Sequence, residues 1–232
     1  MAYASYGKGV ESVVAPGRSR YANAGQPLPA LKSRQTEVGV KSASDTLRWN
    51  ITWFNVVRPL WGDVGSCDLP GTCTRQEDGS VRNQGIELGV GYSSGPWRLG
   101  ASATWLQAQR QDSIINPDLN GRRPTNVPDM IVRANGVYRV AGVPGLSLLG
   151  TVSYEGGRMV LPDESIMLTA WTRVDLGLAY ETRLMGQPNT WSLTVDNVAN
   201  RRYLKESPYQ YGHVYLFPGA PRVVRLAVQT SF

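Results

Sequence analysis

In VVRLAVQTSF, residues 223–232, the side chains sort with a period of two. Val224, Leu226, Val228, Thr230 and Phe232 fall on one side, and Val223, Arg225, Ala227, Gln229 and Ser231 on the other. Side chains alternate between faces in a strand but follow a period of about 3.6 on a helix, so this stretch is a strand with one apolar and one wetter face.

The same period runs upstream. Leu47, Trp49, Ile51 and Trp53 alternate with Arg48, Asn50 and Thr52, and Ile86, Leu88, Val90 and Tyr92 form another series. So do Trp97 to Trp105, Met130 to Tyr138, Leu146 to Tyr154, Val174 to Tyr180 and Trp191 to Val195. With Thr36 to Val40 and the stretch AYASYG, about ten candidate strands result, and no convincing amphipathic helix competes with them. The connections alternate between short (44–46, 93–96, 142–145, 185–189) and long (10–33, 60–80, 112–128, 158–169, 203–219). Every long connection then lies at one end of an up-and-down sheet, as in outer-membrane barrels with tight periplasmic turns and long external loops.

Composition fits this reading. Of 232 residues, 41% are hydrophobic and 18% charged, with 25 Gly, 7 Trp and 11 Tyr against 3 Phe. No stretch approaches the roughly 18 apolar residues of a helical span, whereas a spanning strand needs only about 9–11 of alternating character. Tyr92, Trp97, Tyr138, Tyr180, Trp191 and Phe232 lie beside the short turns or the terminal residue and make one aromatic girdle; Trp53, Trp105, Tyr154 and Tyr203 lie toward the long loops. The opposite face carries Glu37, Lys41, Arg48, Glu87, Arg98, Arg133, Arg139, Arg173 and Asp175, too many charges for a second packed layer of a soluble sandwich. The fold expected is all-β: an antiparallel up-and-down transmembrane β-barrel segment of about ten strands, with Phe232 at the periplasmic rim.

Other features constrain compartment and chemistry. MAYASYGKGVE has neither a basic n-region nor an apolar h-region, so an export signal is expected outside this stretch. Cys67 and Cys73 share GSCDLPGTC, where Pro70 and Gly71 can turn the chain back; a loop disulfide is favoured over half of a zinc site, because His213 is the only histidine. The lone His213 likewise leaves a catalytic triad or dyad without support. The net charge of +6 suits an anionic ligand or anionic lipid, and an alternating all-β chain offers no groove-reading module for nucleic acid.

The residues TWSLTVDNVANRRYLKESPYQYGHVYLFPGAPRVVRLAVQTSF, 190–232, resemble the last two barrel strands of a TonB-dependent outer-membrane receptor. Asn197-Val198-Ala199-Asn200 stands where that family has Asn-Leu-Phe-Asp, Tyr203 follows, and Pro221-Arg222 precedes the final strand. YASYGKGVE, NAGQPLPALKSRQTEVGVK, VRNQGIELGVGY and NGRRPTNVPDMIVRANGVYRV are similar to further segments of the family, in its ferric-siderophore branch.

The resemblance implies that residues 1–232 form the C-terminal part of a receptor barrel of about 22 strands, with the plug domain and signal peptide absent. It implies residence in the Gram-negative outer membrane, a ferric siderophore as transported ligand and no other cofactor, no enzymatic activity, and contact with TonB only through the missing plug. Arg122, Arg123, Arg158, Tyr209, Tyr211 and His213 are the expected ligand-binding residues, cations and aromatics suiting an anionic chelate such as a catecholate. The competing expectation is that the basic loop residues meet lipopolysaccharide phosphates or simply solvate the loops. Glu37, after Lys32-Ser33-Arg34-Gln35-Thr36, is expected to find a basic partner, and Asn126-Val127-Pro128 to close a loop before a strand. The alternative function is a stand-alone ten-stranded outer-membrane enzyme such as an omptin-like protease.

Overall fold

The computed structural model describes residues 1–184, 186–210 and 212–230, so Met185, Tyr211, Ser231 and Phe232 lie outside the described residues. The long strands are β1 (Ala2–Glu11), β2 (Leu31–Ala43), β3 (Leu47–Gly65), β4 (Cys73–Ser94), β5 (Trp97–Gln111), β6 (Met130–Arg139) and β7 (Leu146–Glu155). The short pair β8 (Arg158–Met159) and β9 (Met167–Leu168) precedes β10 (Trp171–Leu184) and β11 (Gln187–Asp196). The short strands β12 (Leu204–Glu206), β13 (Tyr209–Gln210), β14 (His213–Val214) and β15 (Phe217–Pro218) lead to β16 (Val223–Thr230).

Ten of these form one antiparallel sheet, β1-β2-β3-β4-β5-β6-β7-β10-β11-β16, in which each strand pairs with the next long strand of the sequence. Among the described residues β1 is bonded only to β2 and β16 only to β11, so the sheet is open. The alternative of a self-contained ten-stranded barrel is thereby corrected, because closure needs a ladder between the first and last strands.

Register joins the apolar positions into lateral rows. Val40, Ile51, Leu88, Ala103, Val132 and Tyr154 are successive cross-strand partners, as are Val38, Trp53, Ile86, Trp105 and Met130 one row nearer the long loops. Toward the short turns, Trp97, Tyr138, Leu148, Leu178, Leu193 and Leu226 form another, with the rings of Trp97 and Tyr138 4.4 Å apart. Among the described residues nothing packs over this face: Leu226 is 71% exposed, Val38 52% and Leu176 51%. So large an open apolar surface is incompatible with a monomer in water and matches the lipid-facing band of a membrane barrel. On the other face, glycines make room for large polar partners. A Cβ on Gly91 would lie 2.6 Å from Arg48 Nε, and one on Gly89 2.4 Å from Asn50 Oδ1.

The fully buried apolar residues Ala15, Tyr21, Leu31, Cys73, Val81, Ala108, Val160 and Trp171 all sit at the long-loop end. The dry interior is therefore a loop core, and the spanning rows rely on ladder hydrogen bonds and the surrounding lipid.

Several expectations need correction. The connection expected over 60–80 shrinks to 66–72, because β3 and β4 run on to Gly65 and Cys73 as 19- and 22-residue strands, well beyond the span. Pro59 and a register shift between Pro59 and Trp61 break the period-two signal there, so the extension did not show in the pattern. The turn at 185–189 is shorter than expected, Gln187 to Asn189 being already in β11. Glu37 accepts a hydrogen bond from Gln35 Nε2 (2.5 Å) rather than from a basic side chain. Tyr203, toward the long loops, stacks on buried Trp171 at 4.5 Å, beside Gly219, where a Cβ would come within 2.1 Å of the ring.

Candidate functional site

The long connections knit into two groups at one end of the sheet. The first joins residues 12–30 to the tip of the β3–β4 hairpin. Cys67 and Cys73 are disulfide-bonded across that tip, with Cα atoms 4.4 Å apart. The Cys73 amide donates to Arg20 O (3.0 Å), Ala22 N to Cys73 O (2.7 Å) and Gly71 N to Ser19 O (2.9 Å). Tyr21 donates its hydroxyl to Asp63 Oδ2 (2.8 Å), whose other oxygen holds Arg75 at 2.8 Å.

The second group centres on Asn126, whose φ of 61° places it in the left-handed region that asparagine tolerates. Its amide donates to Met159 O (2.8 Å), and its Oδ1 accepts from Ser207 N (2.8 Å) and Arg158 (3.3 Å). One side chain thus ties residues 112–129, 156–170 and 197–222 together, more than the strand entry expected of Asn126-Val127-Pro128.

Asp78 anchors the start of this group. It lies in the part of β4 above the spanning rows and is 9% exposed. It accepts from Ser113 Oγ (2.5 Å), Ile114 N (2.8 Å) and Ile115 N (3.1 Å). Burial pushes its pKa up, but the Ser113 hydroxyl, the two amides and the nearby Arg110 charge outweigh burial and hold it below the ordinary carboxylate value. Because the folded pKa is lowered, its stabilisation is complete above the unfolded carboxylate pKa and is lost as pH falls through the folded value. Amide protection of residues 113–115 should therefore be flat from about pH 6 to 8 and collapse only below roughly pH 4. Asp78→Ala should remove about 2–3 kcal/mol of local protection at neutral pH, read by hydrogen exchange.

The expected binding residues separate into two sets. Arg122 donates from Nε to Asp118 O (2.8 Å) and from a terminal nitrogen to Asp163 O. The Arg123 guanidinium reaches Gly157 O (3.4 Å) and lies 3.8 Å from Asp129 Oδ2, while its amide donates to Glu164 (2.6 Å). Arg158 is 4% exposed, with its guanidinium held by Glu155 and Asn126. Arg122, Arg123 and Arg158 thus meet at the seam of two loops, each turned onto protein acceptors. Arg158 in particular is buried, its guanidinium facing Glu155 and Asn126 and not the loop surface.

Tyr209 and His213 lie on a hairpin where Tyr209 pairs with Val214 and Gln210 with His213, and Ser207 just before it shares Asn126 Oδ1 with Arg158. Tyr211 is outside the described residues. With Tyr209, Tyr215, Leu216 and Phe217 all at least 36% exposed, this segment offers an aromatic and apolar finger. Sequence reading passed over Leu216 and Phe217 as potential contacts, although the run YLFPG in a polar loop signals them.

Residue Asn197, noted only as part of a resemblance, has the densest role. It is 1% exposed; its Nδ2 donates to Arg201 O (2.9 Å) and Ala220 O (3.0 Å), and its Oδ1 accepts from Arg201 N (2.9 Å). It closes the turn after β11 and fixes the return into β16. Asn200 Oδ1 helps by accepting from Arg222 N (3.2 Å).

Residues 1–200 match the family model for the TonB dependent receptor-like β-barrel. Over 211 residues the chain is 34% identical to the ferrichrome receptor FcuA of Yersinia enterocolitica, covering 90% of this chain and 27% of that receptor. The crystal structure of BauA, the ferric preacinetobactin receptor of Acinetobacter baumannii, superposes with a TM-score of 0.82 at 25% identity, over 100% of this chain and 34% of BauA. The siderophore receptor PiuA of the same organism shares the fold, with a TM-score of 0.79 at 17% identity over 98% of this chain and 33% of PiuA. The chain thus spans about a quarter to a third of the length of these relatives. With that match over most of its length and an open sheet bearing a lipid-facing band, the chain belongs to the TonB-dependent receptor β-barrel family, whose members are outer-membrane barrels.

Proposed function

We propose that this chain supplies part of the wall and external loops of a TonB-dependent outer-membrane receptor that takes up a ferric siderophore. The carrying observation is an open sheet with one uncovered apolar face and its long loops gathered at one end, joined to 34% identity with a ferrichrome receptor. The wall spans the membrane as successive strands, and the loops form part of the outer mouth. Transport itself needs the plug and its contact with TonB, which on this reading belong to the rest of the receptor.

The arginines at the loop seam hold loop to loop, which weakens the case for an anionic catecholate. The exposed finger around Tyr209, His213 and Tyr215 is the better contact surface, and ferrichrome is the first chelate to test, with Arg122 and Arg123 lending their outer edges at most. The full reading frame that contains this chain should restore TonB-dependent uptake of radiolabelled iron from ferrichrome to cells lacking ferric-siderophore receptors. A ferric catecholate serves as the second arm. Protein present in the outer membrane but unable to take up iron from any chelate would overturn the assignment.

A further inference from the structure

The strap formed by residues 12–30 meets the tip of the β3–β4 hairpin along a strand edge. Gly71, Cys73 and Arg75, every second residue from the turn into β4, face the strap. Gly71 N donates to Ser19 O, Cys73 N donates to Arg20 O, and Cys73 O accepts from Ala22 N. Tyr21 lies in parallel register with Cys73, and Asn23 completes the row by donating to Arg75 O (2.9 Å) and accepting from Arg75 N (3.1 Å). Tyr21 is 4% exposed and Cys73 0%, so the centre of this contact is dry.

The receiving edge depends on the turn that precedes it. Gly65 (φ 108°), Cys67 (φ 54°) and Gly71 (φ 72°) all have positive φ in that one short turn, a conformation that an uncrosslinked loop leaves readily. The disulfide joins Cys67 to Cys73 across a sequence separation of 6 and so fixes the turn. Gly71 lies inside the closed loop and Cys73 ends it, and these two residues hold Ser19, Arg20 and Ala22 through their backbone. A crosslink over so short a loop restricts the open form by a factor on the order of tens.

We infer that the Cys67–Cys73 disulfide is a thiol-sensitive latch: oxidised, it holds the edge onto which residues 18–24 dock, and reduced, it releases them as a mobile segment. Cys67 is half-buried and Cys73 fully buried, so an external thiolate attacks the Cys67 sulfur, forms a mixed disulfide there and expels the Cys73 thiolate. A second external thiolate attacks the outer sulfur of that mixed disulfide, departs as a small-molecule disulfide and leaves Cys67 as a thiolate. The two external thiols are oxidised by two electrons in all, and their two protons pass to the cysteines. Exposure to external thiols rests on the outer-membrane reading proposed above; the coupling of disulfide to strap does not.

Arg18 and Arg20 lie in the docked segment and supply the readout, because trypsin cuts after arginine only where the backbone opens to enter its cleft. The full receptor in detergent is treated with or without dithiothreitol and then with trypsin, and cleavage after Arg18 and Arg20 is timed by mass spectrometry. The reduced receptor should be cut there at least about tenfold faster, with its heat-modifiable gel mobility unchanged. Reoxidation should restore resistance, and C67S with C73S should be cut at the reduced rate whether or not dithiothreitol is present. Oxidised and reduced rates within about twofold of each other would overturn the proposal. So would a reduced receptor that loses its heat-modifiable mobility, since the bond would then hold the barrel and not the strap. If the double variant fails to fold, the reduced and reoxidised forms of the unaltered receptor decide. Iron is not read in this experiment, so failure of the transport reading leaves its result standing.

Discussion

Replacing Asn197 with alanine should destabilise the receptor by about 3–4 kcal/mol, far beyond a typical loop substitution. The side chain is 1% exposed and makes three hydrogen bonds that span the turn, to Arg201 O, Arg201 N and Ala220 O. Alanine removes all three and strands backbone groups that cannot easily reach water. A second cost comes from the backbone, since φ at Asn197 is 49°, which alanine adopts at a penalty of roughly 1 kcal/mol. Asn197→Gly separates the two contributions, because glycine removes the side-chain bonds and relieves the φ cost. The measurement is the urea midpoint of the full receptor in detergent, with the slope unchanged. The glycine variant should fall between the native and alanine proteins. A midpoint shift worth less than about 1 kcal/mol for alanine would mean that Asn197 does not close the turn.

This residue also marks where the sequence stopped being informative. The spanning rows were legible because lipid and water sort side chains with a period of two, so Ile51, Leu88 and Val132 revealed themselves one strand at a time. The pairing order followed from the alternation of short and long connections, since neighbours in the chain are neighbours in an up-and-down sheet. No such local rule reveals that Asn197 spans from Arg201 to Ala220, or that Asn126 collects three loops. Apart from Asn197 to Arg201, those contacts join residues far apart in the chain, and an asparagine in a polar loop looks the same in sequence whether it is buried or solvated.

The candidate site failed to read for a related reason. Arginines in long loops suggest a cationic mouth when counted, but charge in a loop is spent on whatever carbonyl or carboxylate folding brings near. Arg122, Arg123 and Arg158 all face such acceptors.

Glu155→Ala should cost about 3–5 kcal/mol, the other large effect expected of this chain. Glu155 is 8% exposed and stands between two guanidinium groups, one oxygen bonded to Arg133 and the other to Arg158. Arg133 is partly relieved elsewhere, donating to Tyr154 O (2.9 Å) and lying 5.7 Å over the Trp171 ring. Arg158 has no such outlet, because it is 4% exposed and its other partner, Asn126 Oδ1, is neutral. Removing the carboxylate leaves a buried cation beside a like charge, so the loss exceeds what the ion pair adds to stability. Two further variants distinguish this account from simple loss of packing. Glu155→Gln keeps the volume and should still lose a large part of the stability, since an amide cannot neutralise two arginines. Glu155→Ala combined with Arg158→Met should recover much of the deficit, because the uncompensated charge is gone. Urea midpoints of the full receptor provide the reading, and hydrogen exchange at residues 156–159 should report the same order. If the double variant is no more stable than Glu155→Ala alone, buried charge is not the cause and the seam is held by shape.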